Sequence, residues 1–169
     1  MATRPTFDKV LTRVPSAILE MLEKERSTGG LLEDVIEVYM GDKQLHGADY
    51  PSIWIVENGV YRESVGVGNQ SEMYVARYEF YAIDYDSEDP ELGQRQSRNL
   101  ALRIGKTLQK YWRLTPIDNN APENGRLFDN MNLQSLTTTG EDPQGAANSV
   151  SMSMIVYDFK FRAKRFCDF

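Results

Sequence analysis

The chain has 169 residues, one histidine, one cysteine and a formal net charge of -6. That length suits one domain with a core large enough to fold unaided. The lone Cys167 excludes a disulfide framework and a multi-cysteine zinc site, and the acidic balance lacks the basic footprint of a duplex-DNA binder.

Phe7, Val10, Val14, Ile18 and Met21 recur at helical spacing and predict an amphipathic helix over 6–26. Thr6 is its candidate N-cap, and Pro15 predicts a kink or a second helix start. Ser27-Thr28-Gly29-Gly30 ends it. Residues 35–40 read as a first strand. Pro51 then leads Ile53-Trp54-Ile55-Val56, and Asn58-Gly59 predicts a tight hairpin into residues 60–65.

After a loop over 66–72, Met73 to Asp84 reads as a long strand. Tyr74, Ala76, Tyr78, Phe80 and Ala82 share one face; Val75, Arg77, Glu79, Tyr81 and Ile83 share the other. Apolar residues on both faces predict a central strand under a helix. Ser87-Glu88-Asp89-Pro90 is a helix start signal. Five acids (Asp84, Asp86, Glu88, Asp89, Glu91) crowd that start, whereas Leu92 to Leu114 carries six bases and no acid, an order that complements the helix dipole. Leu100, Ile104, Leu108 and Tyr111 form the core stripe, with Arg95, Arg98, Lys106 and Arg113 opposite and Arg103 and Lys110 at the border. Polar loops at 115–125 and 138–148 flank a strand expected over 126–137. The last strand, 150–166, shifts its apolar phase between Met154 and Tyr157, which predicts a bulge or twist. Neither repeat nor linker interrupts residues 1–169, so the expectation is a single α+β domain: a mixed, largely antiparallel β-sheet with helices packed on it.

Catalytic signatures are missing from the sequence. His46 sits in a loop far along the chain from Cys167, and HExxH, CxxC and GxSxG patterns do not occur. Gly66-Val67-Gly68 begins like a dinucleotide fingerprint, but Ser71 stands where the third glycine belongs. Asp84, Asp86 and Glu88 have calcium-loop spacing, yet Asp89 and Arg95 occupy the positions of the required glycine and glutamate. Neither a cofactor nor a metal is therefore expected, and the chain reads as a binding and assembly protein rather than an enzyme. The basic helix face has a plain reading, a solvated surface. Its sharper reading is a subunit interface in which Arg95, Arg98, Lys106 and Arg113 meet Asp86, Glu88 and Asp89 of a neighbour, a head-to-tail contact that closes into a ring. In the last strand, Lys160, Arg162 and Lys164 alternate with Phe159 and Phe161; period-two alternation puts rings and bases on opposite sheet faces, as in any half-buried strand.

Three segments carry a family resemblance: Tyr50-Pro51-Ser52-Ile53-Trp54-Ile55, Tyr78-Glu79-Phe80-Tyr81-Ala82-Ile83-Asp84, and the helix from Pro90 to Trp112. In their order, behind an amphipathic helix and ahead of two strands, the chain resembles the tail terminator, or tail completion, family of tailed bacteriophages over residues 6–162. The resemblance implies a virion protein assembled in the host cytoplasm as a hexameric ring. That ring caps the head-proximal end of the tail tube, stops its growth and offers a docking surface to neck proteins, and to sheath protein if the tail contracts. It implies no bond chemistry, and DNA passing through the lumen without specific binding; no membrane is expected, because no apolar run approaches the roughly 20 residues needed to span a bilayer. Gly66, Gly68, Asn69, Gln70, Asn119, Asn120, Glu141 and Asp142 are the expected contacts to tube or neck, because binding concentrates on loops. Three other readings compete. They are a head-completion or connector protein, a metal-dependent hydrolase using the acids at 84–91, and a single-stranded nucleic-acid binder using the last strand.

Overall fold

A computed structural model describes residues 5–41, 49–63, 71–85, 89–139 and 150–164. The elements are helix α1 (Phe7–Lys24), strands β1 (Glu37–Met40), β2 (Ser52–Glu63) and β3 (Ser71–Tyr85), helix α2 (Pro90–Tyr111), and strands β4 (Asn130–Thr139) and β5 (Val150–Lys164). Two single turns of 3-10 helix, Trp112–Leu114 and Pro122–Asn124, lie between α2 and β4.

Helix α1 follows from its apolar stripe: Val10, Val14, Ala17, Ile18, Met21 and Leu22 are all buried. Thr6 is the N-cap, but its side chain makes no capping hydrogen bond. Pro15 neither ends the helix nor starts a second one; α1 runs through it for 18 residues. The ring removes one backbone donor, and the buried residues on both sides of it outweigh that loss. After Glu25 the chain turns back so tightly that a Cβ on Gly30 would sit 2.1 Å from the Glu25 carbonyl oxygen. A glycine is required there for space.

The five strands form one mixed sheet in the order β1-β2-β3-β5-β4. β1 runs parallel to β2, and the other neighbours pair antiparallel. β3 is central, as its two-sided apolar pattern requires, and it pairs with β5 along all of both strands without a register shift. Helix α2 lies across β3, β5 and β4, while α1 lies beside α2 and reaches β1 and β5. Both helices cover the same sheet face. Phe7 of α1 meets the Tyr74 ring at 4.5 Å and the Phe161 ring at 6.3 Å. A Cβ on Gly105 of α2 would meet the Tyr157 hydroxyl at 2.9 Å and Ile155 Cδ1 at 3.3 Å, so this glycine lets helix and sheet approach closely. Between the layers, Phe159 is the hub of an aromatic cluster, with the rings of Tyr78, Phe80, Phe128 and Tyr157 at 6.0, 6.4, 5.0 and 6.3 Å.

The structure corrects four expectations. Asn58-Gly59 makes no hairpin. β2 continues through it, and both residues oppose the single Arg77 of β3 in a bulge, with Gly59 at φ 93. The pair is thus used for its tolerance of positive φ, but inside a strand. Secondly, β5 has no bulge against β3 where its apolar phase shifts. Its helix-facing residues are Ser153, Ile155, Tyr157, Phe159, Phe161 and Ala163, all buried. Val150, Met152 and Met154 face the other way, so the shift marks a change in which face is apolar. A register shift does occur nearby, on β4 between Leu133 and Ser135. Thirdly, the strand expected over 126–137 begins at Asn130. Leu127 and Phe128 precede it as buried loop residues, tied by the Leu127 amide to the Thr115 carbonyl at 2.8 Å. Finally, the first strand is shorter than 35–40: it starts at Glu37, just after the Ile36 amide bonds the Pro51 carbonyl.

Candidate assembly surfaces

Three surfaces of this scaffold carry polar side chains in organised groups. The first is the outward face of α2. Asp89 caps that helix, its Oδ1 accepting from the Glu91 and Leu92 amides at 3.0 and 3.2 Å, and Pro90 occupies the first helical position. The cap fixes the helix start, and the buried stripe of Leu100, Ala101, Ile104, Leu108 and Trp112 fixes its rotation. Arg95, Arg98, Leu102, Lys106 and Arg113 are therefore exposed on the side away from the sheet. Arg95 reaches Glu91 only at 3.9 Å, with both side chains mostly in solvent. Arg98 and Lys106 have no hydrogen-bond or ion-pair partner among the described residues. Arg113 lies over the Trp112 ring at 5.0 Å.

The border bases are engaged with α1 and the turn after it. Arg103 donates to both carboxylate oxygens of Asp34 and holds that carboxyl below its ordinary range. Lys110 Nζ donates to Glu25 Oε1 at 2.6 Å, the Tyr111 hydroxyl donates to the same oxygen at 2.5 Å, and the Leu31 amide donates to Oε2 at 2.9 Å. Glu25 is buried. The Lys110 hydrogen bond first, then those from Tyr111 and Leu31, bring its carboxyl down from 4.5 to about 2. A depressed carboxylate stabilises the fold fully above its unfolded value, and that stabilisation is lost as the pH falls from about 4.5 through about 2. Glu25→Gln is expected to lower stability by about 2–3 kcal/mol at neutral pH. Urea unfolding at pH 7, 4 and 2.5 checks it: the gap between variant and wild type should shrink toward the lowest pH, and a constant gap would rule out the charge as its source.

The second surface is an open cleft of about 600 Å³ between α1 and the turn at 117–120. Asp8, Lys9, Arg13, Glu20, Asp118 and Asn119 line it. Arg13 makes a two-point pair with Glu20 at 2.8 Å each and also donates to Asn119 Oδ1 at 2.8 Å. The Asn119 amide bonds both Glu20 oxygens at 3.0 Å, and Lys9 pairs with Asp118 at 3.1 Å. Both bases of this cleft are thus paired within it, and its third acid, Asp8, lies in the first turn of α1. The turn itself is set by Asp118, whose Oδ1 accepts from the Asn120 amide at 2.9 Å.

The third surface is the sheet face that neither helix covers. Its centre holds Asp158, buried on β5, which accepts two hydrogen bonds from Arg77 on β3 at 2.8 and 2.9 Å and one from the Tyr61 hydroxyl on β2 at 3.1 Å. Arg77 also lies over the Tyr61 ring at 5.8 Å. Burial first, then the adjacent Asp158 charge, raises the Tyr61 hydroxyl above its ordinary value, so it remains a donor. Around this centre Lys160 pairs with Glu63, and Arg162 with Asp129 at 3.4 Å. Toward the other end the same face becomes apolar through Trp54, Ile83, Met154 and Val156.

Of the residues singled out in the sequence, Arg95, Arg98 and Lys106 come together on one face of α2, Arg113 is exposed in the 3-10 turn after it, and Asp89 is used as that helix's cap. Asn119 and Asn120 lie in the turn beside α1, where Asn119 is bound into the Arg13–Glu20 pair. Asp86, Glu88, Gly66, Gly68, Asn69, Gln70, Glu141 and Asp142, with His46 and Cys167, lie outside the described residues. Lys160, Arg162 and Lys164 alternate with the buried Phe159 and Phe161 across the sheet. Sequence reasoning missed Glu25 and Asp158. An acid just past a helix end, and an acid within the apolar run Ile155 to Phe161, were the available signals. Among the described residues, no group of three His, Cys, Asp or Glu is arranged to hold a metal ion, and no helix is long and apolar enough to cross a membrane. Compared with protein-family models and with curated proteins, the chain matches none.

Proposed function

We propose that this chain is a ring-forming structural protein of a phage tail, a terminator that caps the head-proximal end of the tail tube and presents a docking surface to the neck. One observation carries the reading. The segments that resemble that family lie in an α+β fold of the coarse kind the resemblance implies, a five-stranded mixed sheet with both helices on one face. Such a scaffold leaves a charged helix face for partners. Its organised polar groups are ion pairs and caps that fix shape, which suits a protein whose work is binding.

The mechanism is steric. A ring seated on the last layer of tube occupies the surface on which the next tube subunit would add, so growth stops. A net charge of -6 favours a lumen that DNA crosses without adhering. The test is to polymerise purified tube protein with and without this chain. Added at substoichiometric amounts, it should shorten the tubes and be found at one end by electron microscopy. Tubes of unchanged length with no density at either end would refute the reading, and capture by isolated heads without tubes would make the chain a neck component instead.

A further inference from the structure

We infer that the outward face of α2 is the surface through which copies of this chain associate, each receiving the acidic N-terminal end of a neighbour's α2. The inference rests on the assembly half of the proposed function. Both bases of the cleft beside α1 are taken up by its own ion pairs, and the helix-free sheet face already has Val75, Ile83, Val156 and Asp158 buried. The α2 face differs from both. Arg95, Leu102 and Lys106 recur at seven- and four-residue steps, with Arg98 one turn from Arg95 and Leu102, and Arg113 follows in the 3-10 turn after α2. Leu102 is 45% exposed at the middle of this stripe, an apolar centre inside a basic rim. Arg98 and Lys106 are left without partners among the described residues, while Arg103 and Lys110, at the border, are already satisfied by Asp34 and Glu25.

Charge identifies the occupant. The chain's net charge is -6 and the segment from Leu92 to Leu114 contributes +6, so the remainder carries -12. Every copy therefore carries an excess of acids outside the basic segment that another copy's stripe can meet. The acids nearest a defined geometric feature are those at the α2 N-terminus, where Glu91 is 85% exposed on its side chain. Joining the start of one α2 to the outward face of the next uses two different surfaces. The contact is thus heterologous, the kind that closes rings. Long-range attraction between them also depends on salt.

The experiment is light scattering on the full chain at about 0.05 M and about 0.5 M salt, across a concentration series. Four samples are compared: wild type, Arg98→Glu/Lys106→Glu, Glu91→Lys, and the two variants mixed. All the altered side chains are exposed, so each variant should keep the wild-type circular dichroism and melting temperature. Wild type should assemble, more weakly at high salt. The double reversal should weaken association by about 100-fold or more, because like charges then face each other. The mixture should reassemble, since each variant supplies the surface that complements the other's. Assembly of the double reversal at wild-type concentrations would overturn the inference while leaving the terminator reading standing. Wild type that stays monomeric at both salts, and also on tubes that it caps, would overturn it too. So would a wild-type monomer whose α2 face instead retains single-stranded nucleic acid, with retention lost in the double reversal. Failure to cap tubes, with charge-dependent assembly intact, would count against the terminator reading alone.

Discussion

Phe159→Ala is expected to destabilise the protein by about 3–5 kcal/mol, the range for removing a fully buried phenylalanine. The residue has no exposed surface and faces both helices from the middle of β5. It touches four other rings, from Tyr78 and Phe80 on β3, Tyr157 on its own strand and Phe128 in the loop before β4. A cavity there borders three separate chain segments, so collapse of one segment cannot fill it. Urea unfolding reads the effect as a lower midpoint with an unchanged slope. Leu133→Ala is the control: that side chain is 52% exposed on edge strand β4 and should shift stability by less than about 0.5 kcal/mol. A Phe159 effect below about 1.5 kcal/mol would mean that the aromatic cluster is not a tightly packed core.

Asp158→Ala is the other large expected effect, at about 2–3 kcal/mol. Removing one partner of a buried ion pair costs about 3–5 kcal/mol when the other charge is stranded. Here the Arg77 side chain keeps 36% of its exposure and recovers some hydration, which lowers the figure. The Tyr61 hydroxyl loses its acceptor as well. The informative companion is the double replacement Arg77→Leu/Asp158→Leu, which removes both charges at once and should be close to neutral. Equal losses in the single and double variants would show that packing, and not the stranded guanidinium, sets the cost.

Much of this architecture is legible in the sequence because local signals and burial agree. In β3, apolar residues at both parities mark a strand buried on two faces, and the structure places it at the centre of the sheet. In α2, the proline, the capping aspartate and the single apolar stripe fix start, rotation and exposed face together. Where sequence reasoning fails, a tertiary choice decides between two local readings. Asn58-Gly59 accepts the backbone of a hairpin turn and of a bulge equally well; pairing of residues 60–63 with β3 selects the bulge. The shift in β5 looks like an inserted residue, since one strand alone does not say which face a helix will cover. Glu25 and Asp158 were hidden for a related reason. Each stands out locally only as an acid beside or within apolar residues; the charges that pair them lie 85 and 81 residues away, at Lys110 and Arg77.

The unbroken β3–β5 seam has a consequence for how the molecule reaches this shape. Its pairs join residues separated by 65 positions, Tyr85 with Val150, to 93 positions, Ser71 with Lys164. Closing loops of that size costs entropy before any ladder bond is gained. Helix α2, with its cap and stripe contained in consecutive residues, needs no such closure and can form early. On loop-closure grounds the capped helix precedes the seam and offers its apolar side to both distant strands, with the opposite face of α2 turned to solvent from the start.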